Sequence, residues 1–384
     1  MKRSCKKKKM ILVLSLIAVL AISMISAVSA ADITIDPKTP GGLKGAISSA
    51  NNGDTILIKD GVYTGEANTN VEIRKDIKIK GIGSNLVFDG ANRTRIFIVF
   101  GKVTVEKIKF TNGKYVVKSK APKYGGAIAT ASKSFLTVKN CIFTNNQGSL
   151  RGGGINSEGS LTVENSIFTN NKAKFGGAIH IEDKNTGTIN SCTFTNNQAT
   201  NDRSFGLGGA INAFNVNLLV NKCTFTGNKG SSGGAVFTGE HLKKSNKITF
   251  TNCKFIKNTA VGYYVNQANG DGGAIASNYG KITISKTTFK DNKASRNGGA
   301  IRTNTYAPED KLSITDSEFS KNFAAKKGGA IEVTLVGKVF TIINTKFSKN
   351  IAGKKYNAIQ VSGTGKYTVT TKNVKISPKD GAKA

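Results

Sequence analysis

Gly298-Gly-Ala-Ile301, Phe319-Ser-Lys-Asn322 and Gly328-Gly-Ala-Ile331 follow one another in one stretch of the chain, and two motifs alternate in them. The Gly-Gly-Ala-Ile element also begins at Gly125, Gly176, Gly208 and Gly272, with variants at Gly152-Gly-Gly-Ile155 and Gly233-Gly-Ala-Val236. The Phe-x-x-Asn element also begins at Phe143, Phe168, Phe194, Phe225, Phe255, Phe289 and Phe347. From Gly125 to Asn350 neither motif occurs twice running. Self-similarity at a period of a few tens of residues marks a repeat architecture, in which one unit cannot bury its apolar face alone and must stack on its neighbours.

Between the motifs run short segments such as Leu136-Thr-Val138, Leu161-Thr-Val163, Ile282-Thr-Ile284 and Leu312-Ser-Ile314. They alternate with the period of a strand, and no helical period competes with them. The reading is therefore all-β: a single right-handed parallel β-helix over residues 31–372, one coil per repeat, about a dozen coils stacked about 4.8 Å apart. The glycine pair supplies positive φ and close backbone approach at a sharp turn. The phenylalanines pile into an aromatic ladder, and the asparagines three residues later (Asn146, Asn171, Asn197, Asn228, Asn258, Asn292, Asn322 and Asn350) form an amide ladder that satisfies turn backbone groups. Cys141, Cys192, Cys223 and Cys253 lie two residues before a repeat Phe, hence on the same inward face, where other coils carry Ser166, Thr287, Ser317 and Thr345. They are expected to be buried free thiols. Upstream, Leu43, Ala46, Ile47 and Ala50 fall at i, i+3, i+4 and i+7 and predict a short amphipathic helix capping the N-terminal end of the core.

Ahead of the repeat, Lys2, Arg3 and Lys6 to Lys9 precede an uncharged run from Met10 to Ala31 that ends in Val28-Ser29-Ala30. This is the pattern of an export signal over residues 1–30, or of an uncleaved N-terminal anchor, and it implies a secreted or cell-surface protein. Residues 373–384 read as a lysine-rich tail.

The alternating Gly-Gly-Ala-Ile and Phe-x-x-Asn elements resemble the repeats of chlamydial polymorphic membrane proteins. With the Gly53-Asp-Thr-Ile56 entry, the chain from about Asp32 to Lys372 is similar to the β-helix adhesin-like surface proteins of methanogenic archaea. The resemblance implies a β-helix and an adhesin-like role in binding. Retention through a C-terminal barrel of the autotransporter type is not expected.

The formal net charge is +33, of which six positive charges lie in the first ten residues. A field of this sign favours anionic partners. The charge concentrates in the turns between Phe-x-x-Asn and the next Gly-Gly. Those turns carry Lys114, Lys118, Lys120, Lys123, Arg151, Lys172, Lys174, Arg203, Lys229, Lys293, Arg296, Lys326, Lys327, Lys354 and Lys355, against only Asp202 and Asp271. Stacking would line them along one edge as a ridge of like charges about 5 Å apart, a surface suited to an anionic glycan or wall polymer. Lys139, Lys222, Lys281 and Lys286 are expected on the strand faces instead. Longer loops add Tyr263, Tyr264 and Tyr306 as platforms on which sugar rings could stack. A monomer is expected, with no specific nucleic-acid recognition.

The competing expectation is a polysaccharide lyase or glycoside hydrolase on the same fold, to be judged on its site. Only His180 and His241 are present, so neither a histidine-based triad nor a multi-histidine metal centre is expected, and no cofactor or metal is implied. Glu158 and Glu182 share a phase and should stack on adjacent coils, with His180 and Asp183 nearby, at a separation that would suit a retaining glycosidase. The alternation points both glutamates outward as solvated carboxylates, which favours binding over catalysis.

Overall fold

The computed structural model describes residues 30–115, 124–182, 185–199, 206–239, 246–262, 270–304, 310–336, 339–364, 368–377 and 381–383. Each coil of a right-handed parallel β-solenoid lays one strand in each of three long sheets. The first sheet has 13 strands, from Asp32–Ile35 to Thr368–Lys372, and the second has 12, from Gly61–Tyr63 to Lys375–Ile376. The third runs from Val71–Ile73 through Ile179–Glu182 and Ile301–Asn304 to Lys355–Thr364 and Gly381–Lys383. A narrow fourth sheet of two-residue strands, Lys172–Ala173 to Ile351–Ala352, lies along the edge that joins the second sheet to the third. The register does not slip: Phe143, Phe168, Phe194, Phe225, Phe255, Phe289, Phe319 and Phe347 pair in sequence.

Three left-handed residues per coil make the corners. One precedes the Cys/Ser/Thr position, as at Asn140, Lys222 and Lys286 with φ of 53°, 53° and 48°; a second precedes the ladder asparagine, as at Asn170 and Lys321, each at 55°. Lys222 and Lys286 are thus corner residues and not strand-face residues, because each sits at the break between two strands. The third corner is the first glycine of the pair, for example Gly176 at φ 65°. The second glycine answers a different constraint: a Cβ on Gly209 would stand 2.0 Å from the carbonyl oxygen of Gly234 on the next coil. Conformation demands one glycine and stacking distance demands the other.

Inside the coil the three inward faces form one continuous core. The phenylalanine rings from Phe143 to Phe347 stack with centroids 4.6 to 5.0 Å apart and planes within 9° of parallel. That distance is the rise between coils, so the backbone imposes the stack. The four described cysteines are buried and unbridged. Each thiol bonds the carbonyl two residues before it, as Cys253 Sγ does to Thr251 O at 3.2 Å, and the hydroxyls of Ser166, Thr287, Ser317 and Thr345 make the same bond in their coils. The helix Gly42–Ser49 buries Leu43, Ala46 and Ile47 and covers the N-terminal end of the core, as the sequence predicts.

Candidate functional site

The fourth sheet positions the lysines of the ridge. Successive bridges and strand pairs align Lys114, Gln147, Lys172, Gln198, Lys229, Thr259 and Lys293 in one column. Lysine therefore recurs on every second coil, about 10 Å apart, with a neutral residue between. The sequence reading placed like charges on every coil. The alternation about halves the repulsion, to roughly 0.4 kcal/mol per pair in water before screening. Lys174, Lys326, Lys327, Lys354 and Lys355 extend the basic edge, the last four exposed. Among the described residues none of these nine lysines has an ion pair. Arg151 and Arg296 leave the ridge, since Arg151 pairs with Glu182 and Arg296 Nε lies 3.4 Å from Asp271 Oδ1. Lys118, Lys120, Lys123, Arg203, Asp202, Asp183, His241, Tyr263, Tyr264 and Tyr306 lie outside the described residues.

The outward face of the third sheet differs from the solvated face that alternation predicts. The residue after each Gly-Gly-Ala-Ile points outward, yet Asn156, His180, Asn212, Phe237, Ala276 and Glu332 are all buried there, and Arg302 nearly so. The turn residues Arg151 and Asp271 reach this face, to Glu182 and to Arg302. Glu158 and Glu182 do fall in one phase, since Ser157 pairs with Ile181. They are not the two solvated carboxylates the sequence suggests. Glu182 is 7 % exposed, bonded through Oε1 to Arg151 and with Oε2 3.4 Å from His180 Nε2; Glu158 is half-buried. Arg151 in turn stacks on Tyr124, 4.9 Å from the ring centroid. Burial pushes the His180 pKa down, and although burial alone would raise Glu182, its bonds to His180 and Arg151 hold it below the usual range. Arg151 therefore holds one oxygen of Glu182, and the buried His180 ring, kept neutral by its lowered pKa, faces the other.

A second polar cluster on the same face has no counterpart in the sequence reading. Arg302 and Glu332 occupy consecutive rungs in register and are ion-paired; Arg302 Nε also lies 3.9 Å from Asp271 Oδ2, and the Asn297 backbone N–H donates to Asp271 Oδ1 at 3.1 Å. Burial raises the pKa of Asp271 and of Glu332, against the pull of Arg302. Asp271, Arg302 and Arg296 wall a cleft of about 310 Å³ together with Phe237, Asn278 and Asn304, and Glu332 pairs with Arg302 from outside that lining. A signal was present in the sequence: a charged residue directly after Gly-Gly-Ala-Ile at 302 and 332, where other coils carry Ala129, Phe237 or Ala276.

The chain matches the family described as the right handed beta helix region over residues 46–271. It also matches the Chlamydia polymorphic membrane protein repeat over residues 286–304 and 316–334. No curated protein matches it. Similar solved structures include a mannuronic acid specific polysaccharide family 6 lyase from human gut microbiota. There the identity is 10 % and the TM-score 0.39, over 91 % of this chain and 83 % of the other. The catalytic domain of a GH87 α-1,3-glucanase in complex with tetrasaccharides aligns at 12 % identity and a TM-score of 0.44, over 88 % and 68 %.

Proposed function

We propose, on the premise that the chain belongs to the right-handed β-helix family, that it is an exported, adhesin-like surface protein that binds an anionic polysaccharide or wall polymer along its basic edge. The observation that carries this reading is the column Lys114, Lys172, Lys229 and Lys293, in register on alternate coils and unpaired among the described residues. A rigid row of ammonium groups about 10 Å apart is matched by an extended polymer whose negative charges recur at that interval. With no acidic partner among the described residues, each lysine is available, and the neutral rungs keep the row tolerable to the fold without bound polymer.

The test is binding of polygalacturonate at a series of salt concentrations. Affinity should fall steeply and linearly in log salt, by release of condensed counterions. Reversing Lys172, Lys229 and Lys293 to Glu should cost about tenfold or more in affinity. Reversing Lys247, Lys281 and Lys311, an outward-facing column of equal charge on the first sheet, should cost much less. Equal losses from both sets would show that net charge alone is responsible and would overturn the assignment.

A further inference from the structure

The cleft on the outer face of the third sheet is built from three consecutive kinds of wall. Phe237, 7 % exposed and in the wall, and the half-buried Phe214 beside it form a small aromatic patch, and Gly239, which pairs with Phe214, lets the Phe237 ring lie close against the backbone: a Cβ there would stand 2.9 Å from that ring and 3.6 Å from that of Phe214. Beside the patch, Asn304 Nδ2 donates to Asn278 Oδ1 at 2.9 Å, and Asn304 Oδ1 accepts from Arg302 Nη1. Behind them stand Asp271 and Glu332, 7 % and 4 % exposed, with Arg302 and Arg296.

Stability does not explain the charges. Replacing a buried ion network by packed apolar groups is commonly neutral or favourable, and the equivalent rungs at Phe237 and Ala276 are apolar already. What the network does supply is a fixed array of donors and acceptors beside an aromatic face, in a cavity at the small end of ligand pockets. Two arginines against two carboxylates leave the cleft without net charge, so it offers nothing extra to a polyanion. Sugar hydroxyls need mixed donors and acceptors, and the apolar face of a pyranose ring needs an aromatic surface.

We infer that this cleft binds a neutral mono- or disaccharide unit, independently of the lysine column. The experiment is calorimetric titration of the whole protein with cellotetraose, xylotetraose, laminaritetraose and mannotetraose in about 0.5 M NaCl, which screens binding to the ridge. At least one should bind with a Kd of about 1 mM or tighter. Asn278→Ala with Asn304→Ala should weaken it about tenfold, Phe214→Ala should weaken it as well, and the Lys172, Lys229 and Lys293 reversals should leave it unchanged. Circular dichroism identical to the parent would establish that the variants fold. Binding by none of the four sugars, or binding indifferent to the asparagine and phenylalanine changes, overturns the inference whatever the outcome with polygalacturonate.

Discussion

Asn228 Oδ1 accepts two hydrogen bonds from Asn197 on the preceding coil, one from its backbone N–H at 2.9 Å and one from its Nδ2 at 3.0 Å. The same double bond joins Asn146 to Asn171, Asn171 to Asn197, Asn228 to Asn258 and Asn258 to Asn292. Each amide nitrogen also donates to a phenylalanine carbonyl, as Asn197 Nδ2 does to Phe168 O at 2.9 Å. One side chain therefore serves three coils.

Asn197→Ala removes four buried partners at once and leaves the Asn171 backbone N–H and the Phe168 carbonyl unsatisfied. We expect a loss of about 3 kcal/mol or more. Asn197→Asp should be worse, since its second oxygen would face the Phe168 carbonyl and the Asn228 oxygen. Urea midpoints check both, and a variant within 1 M of the parent would refute the ladder's energetic role.

The cysteines make alkaline pH a sensitive axis. Burial pushes the thiols of Cys141 and Cys253 up to about 12 from an ordinary value of 9.0. Cys223, which accepts a hydrogen bond from the Cys192 backbone N–H, is also raised, first by its contact with Cys192 and then by burial. Above pH 9 the unfolded chain releases protons that the folded chain retains, so stability is intact below 9 and falls toward 12. Cys141 and Cys253 each contribute about 1.4 kcal/mol per pH unit over that window, while Cys192, lowered by its hydrogen bond with Cys223, opposes the rise of its partner. Changing all four to Ser, which already fills this position in other coils, should preserve folding at neutral pH and flatten the alkaline decline. Maleimide should label Cys141, Cys192, Cys223 and Cys253 only in denaturant; rapid native labelling of them would contradict their burial.

Acid acts through His180 and Glu182. Both are held below their ordinary values of 6.5 and 4.5, so the unfolded chain takes up protons first. Stability should be full above 6.5, decline as His180 is forced to charge, and decline again below 4.5. Glu182→Gln should remove the lower step and leave Arg151 without its carboxylate, a loss of about 3 kcal/mol. Nuclear magnetic resonance of His180 provides the direct check: a free-imidazole titration at 6.5 in the folded protein would be incompatible with this network.

The second glycine of each pair offers a steric test. Gly209→Ala would drive a methyl group into the Gly234 carbonyl, and neither backbone can retreat without breaking the stack. A loss of about 3 kcal/mol is expected, against about 1 to 2 kcal/mol for the same change at Gly53, where a Cβ meets open space and only the φ of 95° opposes it. Equal effects at the two positions would mean that backbone conformation alone sets the cost. Thermal scans of the two variants separate the cases.

The alternation of the two motifs was by itself enough to determine the solenoid, because each repeat residue acts on its own equivalent one coil away. Phe meets Phe, Asn meets Asn, and Gly209 meets Gly234, so periodicity along the chain is contact in space. The inward thiols and the capping helix were legible for the same reason, through periods of 2 and 3.6. The outer face was not. Strand alternation assigns Glu182, Arg302 and Glu332 to solvent, and only the tertiary structure shows that the turns bearing Arg151, Asp271 and Arg296 fold over the third sheet and bury them. The rhythm of the ridge was present in the sequence as well, since Gln147, Lys172, Gln198, Lys229, Thr259 and Lys293 each directly follow a ladder asparagine and so meet their equivalents one coil away. Burial and ion pairing between different columns depend instead on how the turns pack over the third sheet, which no single repeat encodes.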